Sequence, residues 1–306
     1  PIPSPSLNNF TLCPILGGTG VLSGKLEGDM PKNFAGKTYE VFVGEGKRWI
    51  IDSTHATRSA ALEVAEELLK AANHDGVRVV AENERTGEEE IISLEMRNRV
   101  LTSENVAANA VMAGCLPEYF PVLTTTLKTL EEEKNYVHMA SASTSSPAIL
   151  MVLNGPIRDQ IGANYKDGLL GPGNRANAVL GRAIRLCFMN GFDARPGTLD
   201  RGTLGNPSKY TLCFAENEED SPWEPLHVAR GFKKEDSTVT VAVAYNPVTV
   251  NASYGHTGES ILMAIADTLK CASMAFRYPS QWVLVIGPEH ATTLNDDGWT
   301  RKGIQD

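Results

Sequence analysis

Ala148-Ile149-Leu150-Met151-Val152-Leu153-Asn154-Gly155-Pro156 is the stretch on which the fold turns. Six apolar, β-prone residues predict a strand, and Asn-Gly-Pro predicts the turn that ends it. Next comes the loop Gly168-Leu169-Leu170-Gly171-Pro172-Gly173-Asn174-Arg175, then a helical pattern through Ala176–Met189. Strand, loop and helix in this order are the unit of an α/β fold.

Working toward the C-terminus, Tyr210–Phe214 and Thr238–Tyr245 read as strands, and Gly258–Phe276 as a long amphipathic helix. Trp282–Ile286 reads as a buried strand, and Lys302–Asp306 as helical. In the other direction, Val137–Ala140 reads as a strand and Pro117–Leu130 as a helix. A helix through Glu104–Met112 has Thr102 or Ser103 as its cap. Val77–Ala81 and Ile91–Leu94 flank a turn and predict a hairpin. The helix Ala60–Ala72 follows the strands Tyr39–Val43 and Trp49–Asp52. The small-polar run Ser141–Ser146 marks the expected boundary between two α/β lobes, residues 1–145 and 146–306, with a cleft between them.

The 306 residues carry a net charge of −9. An acidic surface argues against nucleic acid and anionic lipid as partners. No apolar run reaches the roughly 18 residues of a membrane span, and the first residues lack the pattern of a signal peptide. The five cysteines are scattered without metal-ligand spacing, as expected of a reducing cytoplasm. The expected partner is a small-molecule substrate, the expected assembly a homo-oligomer, and neither metal nor cofactor is implied.

Cys115 carries the sharpest chemical signal. In Ala113-Gly114-Cys115-Leu116-Pro117-Glu118-Tyr119 it stands just before a helix start marked by Pro117 and Glu118. Free N–H groups and the helix dipole there favour a thiolate, the nucleophilic form. Glu118 opposes that charge or serves as its proton partner, and Tyr119 lines a pocket or packs in the core.

Two further loops attract attention. Gly171-Pro172-Gly173-Asn174-Arg175 resembles an anion site, in which Arg175 grips a carboxylate or phosphate and Asn174 assists. The polar segment from Ala215 to His227 follows a strand directly and holds Glu216, Glu218, Trp223 and His227. Loops at strand ends are where α/β proteins place chemistry. His227 is the candidate base or acid, with Glu216 or Glu218 to orient it. Asn154, Arg158 and His290 follow other strands and complete the candidates. The Gly17-Gly18-Thr19-Gly20 cluster is a weak phosphate-loop signal.

The run Asn109–Tyr119, together with Val285-Ile286-Gly287-Pro288-Glu289-His290-Ala291 and Asp297-Gly298-Trp299, resembles uncharacterised proteins related to the UGSC (seleno)protein family. The stretch Leu153–Phe232 is similar to that group as well. The family's Sec/Cys-Gly-Ser-Cys tetrad does not occur here. The resemblance implies an α/β protein with a reactive Cys near a strand-to-helix junction.

These signals lead to one expectation and two alternatives. The first is a cofactor-independent cysteine enzyme in which Cys115 attacks a small, anionic metabolite, as a hydrolase or lyase of a C–N or C–S bond. His227 or Glu118 transfers protons. Arg175, Asn174 and Asn154 hold the substrate, and Tyr119, Glu216 and His290 line its site. The alternatives are a racemase-like enzyme with Cys115 as base and a non-catalytic binding protein.

Overall fold

A computed structural model describes residues 11–13, 21–25, 38–45, 48–55, 58–71, 76–83, 88–94, 99–132, 134–252, 256–272 and 282–305. The Gly17–Gly20 cluster and the turn of the expected 77–94 hairpin lie outside these residues. The chain is an α/β protein that divides into two compact units. One is Gly28–Ala108, and the other joins Pro1–Glu27 to Asn109–Asp306. Cys115 therefore belongs to the same unit as Asn154, Arg175 and His227, although a boundary near residue 145 was expected.

Two short strands open the described chain, β1 (Thr11–Cys13) and β2 (Val21–Lys25), and both pair with strands far downstream. The Gly28–Ala108 unit is built from β3 (Thr38–Glu45), β4 (Arg48–His55), helix α1 (Arg58–Ala71), β5 (Gly76–Asn83), β6 (Glu88–Leu94) and β7 (Arg99–Thr102). Its sheet is antiparallel in the order β4-β3-β5-β6-β7. Ala61, Val64, Ala65 and Leu68 recur at helical spacing on α1 and pack with Tyr39, Val41, Val77 and Val79 of the sheet.

Helix α2 (Ser103–Ala113) is capped by Thr102. The Thr102 hydroxyl accepts from Asn105 N–H (3.3 Å), and the Asn105 side chain accepts from Thr102 N–H (3.5 Å). This is the reciprocal logic of a capping box. The helix stops at Gly114, whose φ of +88° suits glycine. A 3₁₀ turn, Pro117–Tyr119, leads into α3 (Phe120–Glu132).

Helix α4 (Lys134–Ala142) replaces the strand expected at Val137–Ala140. Tyr136, Val137, Ala140 and Ser141 are buried, whereas His138 and Met139 are exposed. That spacing has a helix period, which four apolar or aromatic positions in a short run do not reveal by themselves.

The remaining elements are β8 (Ala148–Asn154), α5 (Ile157–Gln160), α6 (Arg175–Asn190), β9 (Cys213–Ala215), α7 (Leu226–Ala229), β10 (Thr238–Ala244), α8 (Gly258–Ala272), β11 (Leu284–Ile286), α9 (Pro288–Asp296) and α10 (Arg301–Gln305). They form a mixed sheet ordered β2-β10-β8-β9, and β11 pairs with β1. β8 and β9 are parallel, with Met151 opposite Cys213 and Leu153 opposite Ala215, and α6 lies in the connection between them. β10 runs antiparallel to β8. Of the expected strand Tyr210–Phe214, only the last part is extended. Asn206 caps a 3₁₀ turn at Pro207–Lys209, and Tyr210 N–H closes it on Pro207.

β8 is buried on both faces, which accounts for its unbroken apolar run. Leu150 and Val152 pack with Leu212, Phe214, Leu169 and Leu226. Met151 and Leu153 point the other way and are fully buried. On that side α6 approaches closely at Gly181, where a Cβ would lie 2.5 Å from Thr211 Oγ1 and 2.7 Å from Leu212 N. No helix among the described residues is long and apolar enough to cross a membrane.

Gly181→Ala tests that approach. In an open helix the change would stabilise by about 1 kcal/mol. Here contact with the Leu212 backbone dominates, and a net loss of roughly 1–3 kcal/mol is expected from urea unfolding.

Candidate functional site

The carboxyl ends of the parallel pair β8 and β9 carry the most elaborate polar construction in the described chain. Asn154 ends β8 and Glu216 follows β9 directly. Both are fully buried. Asn154 Nδ2 donates to Glu216 Oε2 (2.5 Å) and to Glu218 Oε1 (3.0 Å). Glu216 Oε2 also accepts from Leu226 N–H (2.7 Å), so it caps α7. Glu218 Oε1 accepts from Gly155 N–H (2.7 Å) and pairs with Arg158 Nε (3.2 Å).

Arg158, on α5, knits the loop after β9 to the turn after β8. It donates to Gly155 O, to Glu216 O and through two nitrogens to Glu219. His227 is fully buried on α7. Its Nε2 faces Lys234 O at 3.4 Å, and its Nδ1 lies 3.9 Å from Glu218 Oε1, too far for a hydrogen bond. The expected partnership of His227 with a carboxylate thus falls to Glu218 as an ion-pair distance, with Glu216 turned toward Asn154 and Leu226.

Burial pushes the Glu216 carboxyl up to about 7, against the hydrogen bonds from Leu226 and Asn154 and the charge of Arg301. A carboxyl raised to this range has the value that general acids and bases use. Several buried polar atoms at this end lack a partner among the described residues: Asn154 Oδ1, Glu216 Oε1, His227 Nδ1 and Thr238 Oγ1. Thr238 stands directly opposite Asn154 in the β10–β8 register.

Cys115 is half-buried between Gly114 and the 3₁₀ turn. The expected helix start is present, but the thiol donates to Val179 O (3.6 Å) on α6. Burial pushes its pKa up to about 11, with Arg175 pulling the other way. Burial thus opposes the expected thiolate. Arg175 is exposed and holds Gly114 O through Nε (3.1 Å) and Nη2 (2.8 Å). No hydrogen bond or ion pair among the described residues joins Cys115 or Glu118 to His227.

The Cys115 segment nevertheless reaches the same end of the sheet through the start of α6. Arg175 binds Gly114, Asn177 binds both backbone groups of Asn164, and Asn164 O accepts from Ala215 N–H at the end of β9. Asn174 is the N-cap of α6, accepting from Asn177 N–H (3.0 Å) and donating to Gly162 O (2.9 Å). Its polar atoms are thus engaged in the helix start. Tyr119 is a core residue, Glu118 is exposed, and His290 is half-buried in the first turn of α9. Cys213 is buried, and burial pushes its thiol far up, away from service as a base.

Arg301 belongs to the site without any signal in its local sequence. Its Nη2 donates to Glu224 O, two residues before the Leu226 amide that Glu216 caps. Trp223 Nε1 donates to Trp299 O (3.2 Å), so the segment before α10 is fastened to this loop. Only the three-dimensional fold brings these stretches together. Elsewhere, Asp200 Oδ2 accepts from Arg185 (2.7 Å) and Lys209 (2.6 Å), beside a cavity of about 20 Å³ lined by Ile149, Ile184 and Phe188. Among the described residues no group of three or more His, Cys, Asp or Glu is arranged to hold a metal ion.

Two outcomes are expected. Cys115 alkylation by iodoacetamide, read by peptide mass spectrometry, should be slower than that of free cysteine at pH 7. It should keep rising about tenfold per pH unit beyond pH 9, where free cysteine levels off. Because Glu216 is raised above its ordinary value, its protonated form stabilises the fold. That contribution, on the order of 3 kcal/mol, is present at low pH and lost between about pH 4.5 and 7. Glu216→Gln should flatten this part of the pH–stability curve in urea titrations.

No protein-family model, no curated protein and no solved structure matches the chain.

Proposed function

We propose that the protein is an enzyme that moves a proton on a small, anionic metabolite at the carboxyl ends of β8 and β9. Glu216 is the group that exchanges the proton. The observation that supports this reading is a buried carboxyl tuned to about 7 with Oε1 unpartnered. One of its oxygens is fixed by Asn154 and Leu226, so the other is presented in a set orientation. The placement after two parallel strands is the usual ligand position of open α/β sheets.

In this reading Arg158 and Glu218 hold the turn after Asn154 against the loop after β9. His227 presents Nδ1 beside Glu218, and its Nε2 is anchored on Lys234 O. A general acid with a pKa near the working pH contributes about 10²–10⁴-fold in rate.

A second reading gives Cys115 the covalent step of a hydrolase or lyase acting on a C–N or C–S bond. The link from Gly114 through Arg175 and Asn177 to the end of β9 favours it. The thiol must then lose its proton as substrate binds, against the burial that holds it on.

Small carboxylates and their amides and thioethers form the screening set. With any substrate found, Glu216→Gln should lower kcat by about 100-fold or more and remove the loss of activity above about pH 7. Unchanged kcat and an unchanged pH profile would sink the acid–base reading. Loss of all turnover in Cys115→Ser would support the covalent step, and retained turnover would remove Cys115 from the mechanism.

A further inference from the structure

Arg301 is held with two of its guanidinium nitrogens shut away from water. Nε and Nη1 are buried and have no partner among the described residues, while Nη2 is engaged with Glu224 O. Arginine keeps its charge at any physiological pH. An enclosed guanidinium with idle donors calls for an anion, because an unpaired buried charge is strongly destabilising.

The nearest acid does not fill that role. Glu216 lies within electrostatic reach of Arg301, yet no ion pair or hydrogen bond joins them among the described residues. Its Oε2 is committed to Asn154 and Leu226, and its Oε1 is idle. The same end of the sheet holds two idle acceptors, Asn154 Oδ1 and His227 Nδ1, on fully buried residues. In the tautomer that donates from Nε2 to Lys234 O, Nδ1 is an acceptor. Thr238 Oγ1, opposite Asn154, is idle as well.

This corner of the fold thus holds idle cationic donors on Arg301 and idle acceptors on Asn154 and His227. We infer that it is a receptor for a small carboxylate bearing a hydroxyl or amino group. Arg301 takes the carboxylate, and Asn154 and His227 take the N–H or O–H donors of the substituent. The inference rests on the proposal that this end of the sheet is the substrate site, and it names the substrate class. A simple carboxylate leaves the acceptors idle, and a phosphate brings negative charge where they sit.

The segment Trp299–Arg301 is tied to the loop by Trp223 and Glu224, and Arg301 is only partly covered. The charged and titratable groups around Glu216 are Glu218, Arg158, His227 and Arg301. Protonated Glu216 can donate to the incoming carboxylate. Once ionised it repels that carboxylate, so affinity should fall as pH rises through about 7.

Binding of glycolate, glycine, acetate and inorganic phosphate to the full chain can be compared by calorimetry and thermal shift. Glycolate or glycine should bind at least about tenfold more tightly than acetate or phosphate, since each idle acceptor filled is worth about that much. Arg301→Met should weaken the better of the two by about tenfold or more, with an unchanged far-UV circular dichroism spectrum. Arg301→Lys, which keeps the charge but not the planar donors, should fall between and serves if the Met variant does not fold. In Glu216→Gln the loss of affinity above pH 7 should vanish.

Equal affinity for acetate and glycolate, tightest binding by phosphate, or wild-type binding in both Arg301 variants would overturn the receptor. Undetectable binding of all four probes to the wild-type chain would overturn it too. The two proposals fail separately. A Glu216-dependent turnover with Arg301-independent binding removes the receptor alone. Arg301-dependent glycolate or glycine binding with wild-type turnover in Glu216→Gln removes the acid–base centre alone.

Discussion

A carboxyl group shut away from water must be satisfied by the chain around it or keep its proton, and Glu216 does both. One oxygen receives the Asn154 amide and the Leu226 N–H. Its backbone N–H reaches back to Leu153 O, and its carbonyl accepts from Arg158. A single residue thereby ties the end of β8, the start of α7 and helix α5 into one corner. The charges that support it are arranged so that the buried cation has more than one anion. Arg158 faces Glu218 inside and Glu219 at the surface, which offsets the desolvation of its guanidinium.

Cys115 shows two principles acting on one atom, with magnitudes that decide between them. A helix start favours a nearby negative charge by about 0.3–1 kcal/mol in ordinary settings. Raising a thiol from 9.0 to about 11 corresponds to roughly 3 kcal/mol against the thiolate. Burial between Gly114 and α6 therefore outweighs the dipole, and Arg175 is spent on the Gly114 carbonyl while it adds its charge. Position relative to a helix sets a preference; the dielectric around the sulfur sets the outcome.

The same division explains what could be read from residues alone. β8, α6 and β10 were legible because an apolar run or a helical repeat is imposed by local burial, and each recurs over several residues. The short run at Val137–Ala140 was ambiguous, since four residues span barely one turn of helix or half a strand. Asn154, Glu216 and His227 were legible as candidates because they follow strands. Which carboxylate meets His227 was not legible, because Glu216 and Glu218 differ by only two residues and are separated by contacts elsewhere in the chain: Leu226 N–H holds Glu216, whereas Gly155 N–H and Arg158 hold Glu218. Arg301 carries no signal at all. Its place depends on Trp223 finding Trp299, a contact between distant parts of the chain.

The corner's unfinished hydrogen bonding is the feature with most consequence for function. Folding leaves few buried polar atoms without partners, and each costs about 1–3 kcal/mol. Asn154 and Glu216 each use one end of the side chain fully and leave the other idle. Such a half-filled network is worse for stability than an apolar corner of the same shape. The used ends fix the orientation of the idle ones, so the strain of leaving them unmet is borne by a rigid frame. That is the arrangement in which a ligand gains most on entering, because the protein has already ordered the groups that receive it.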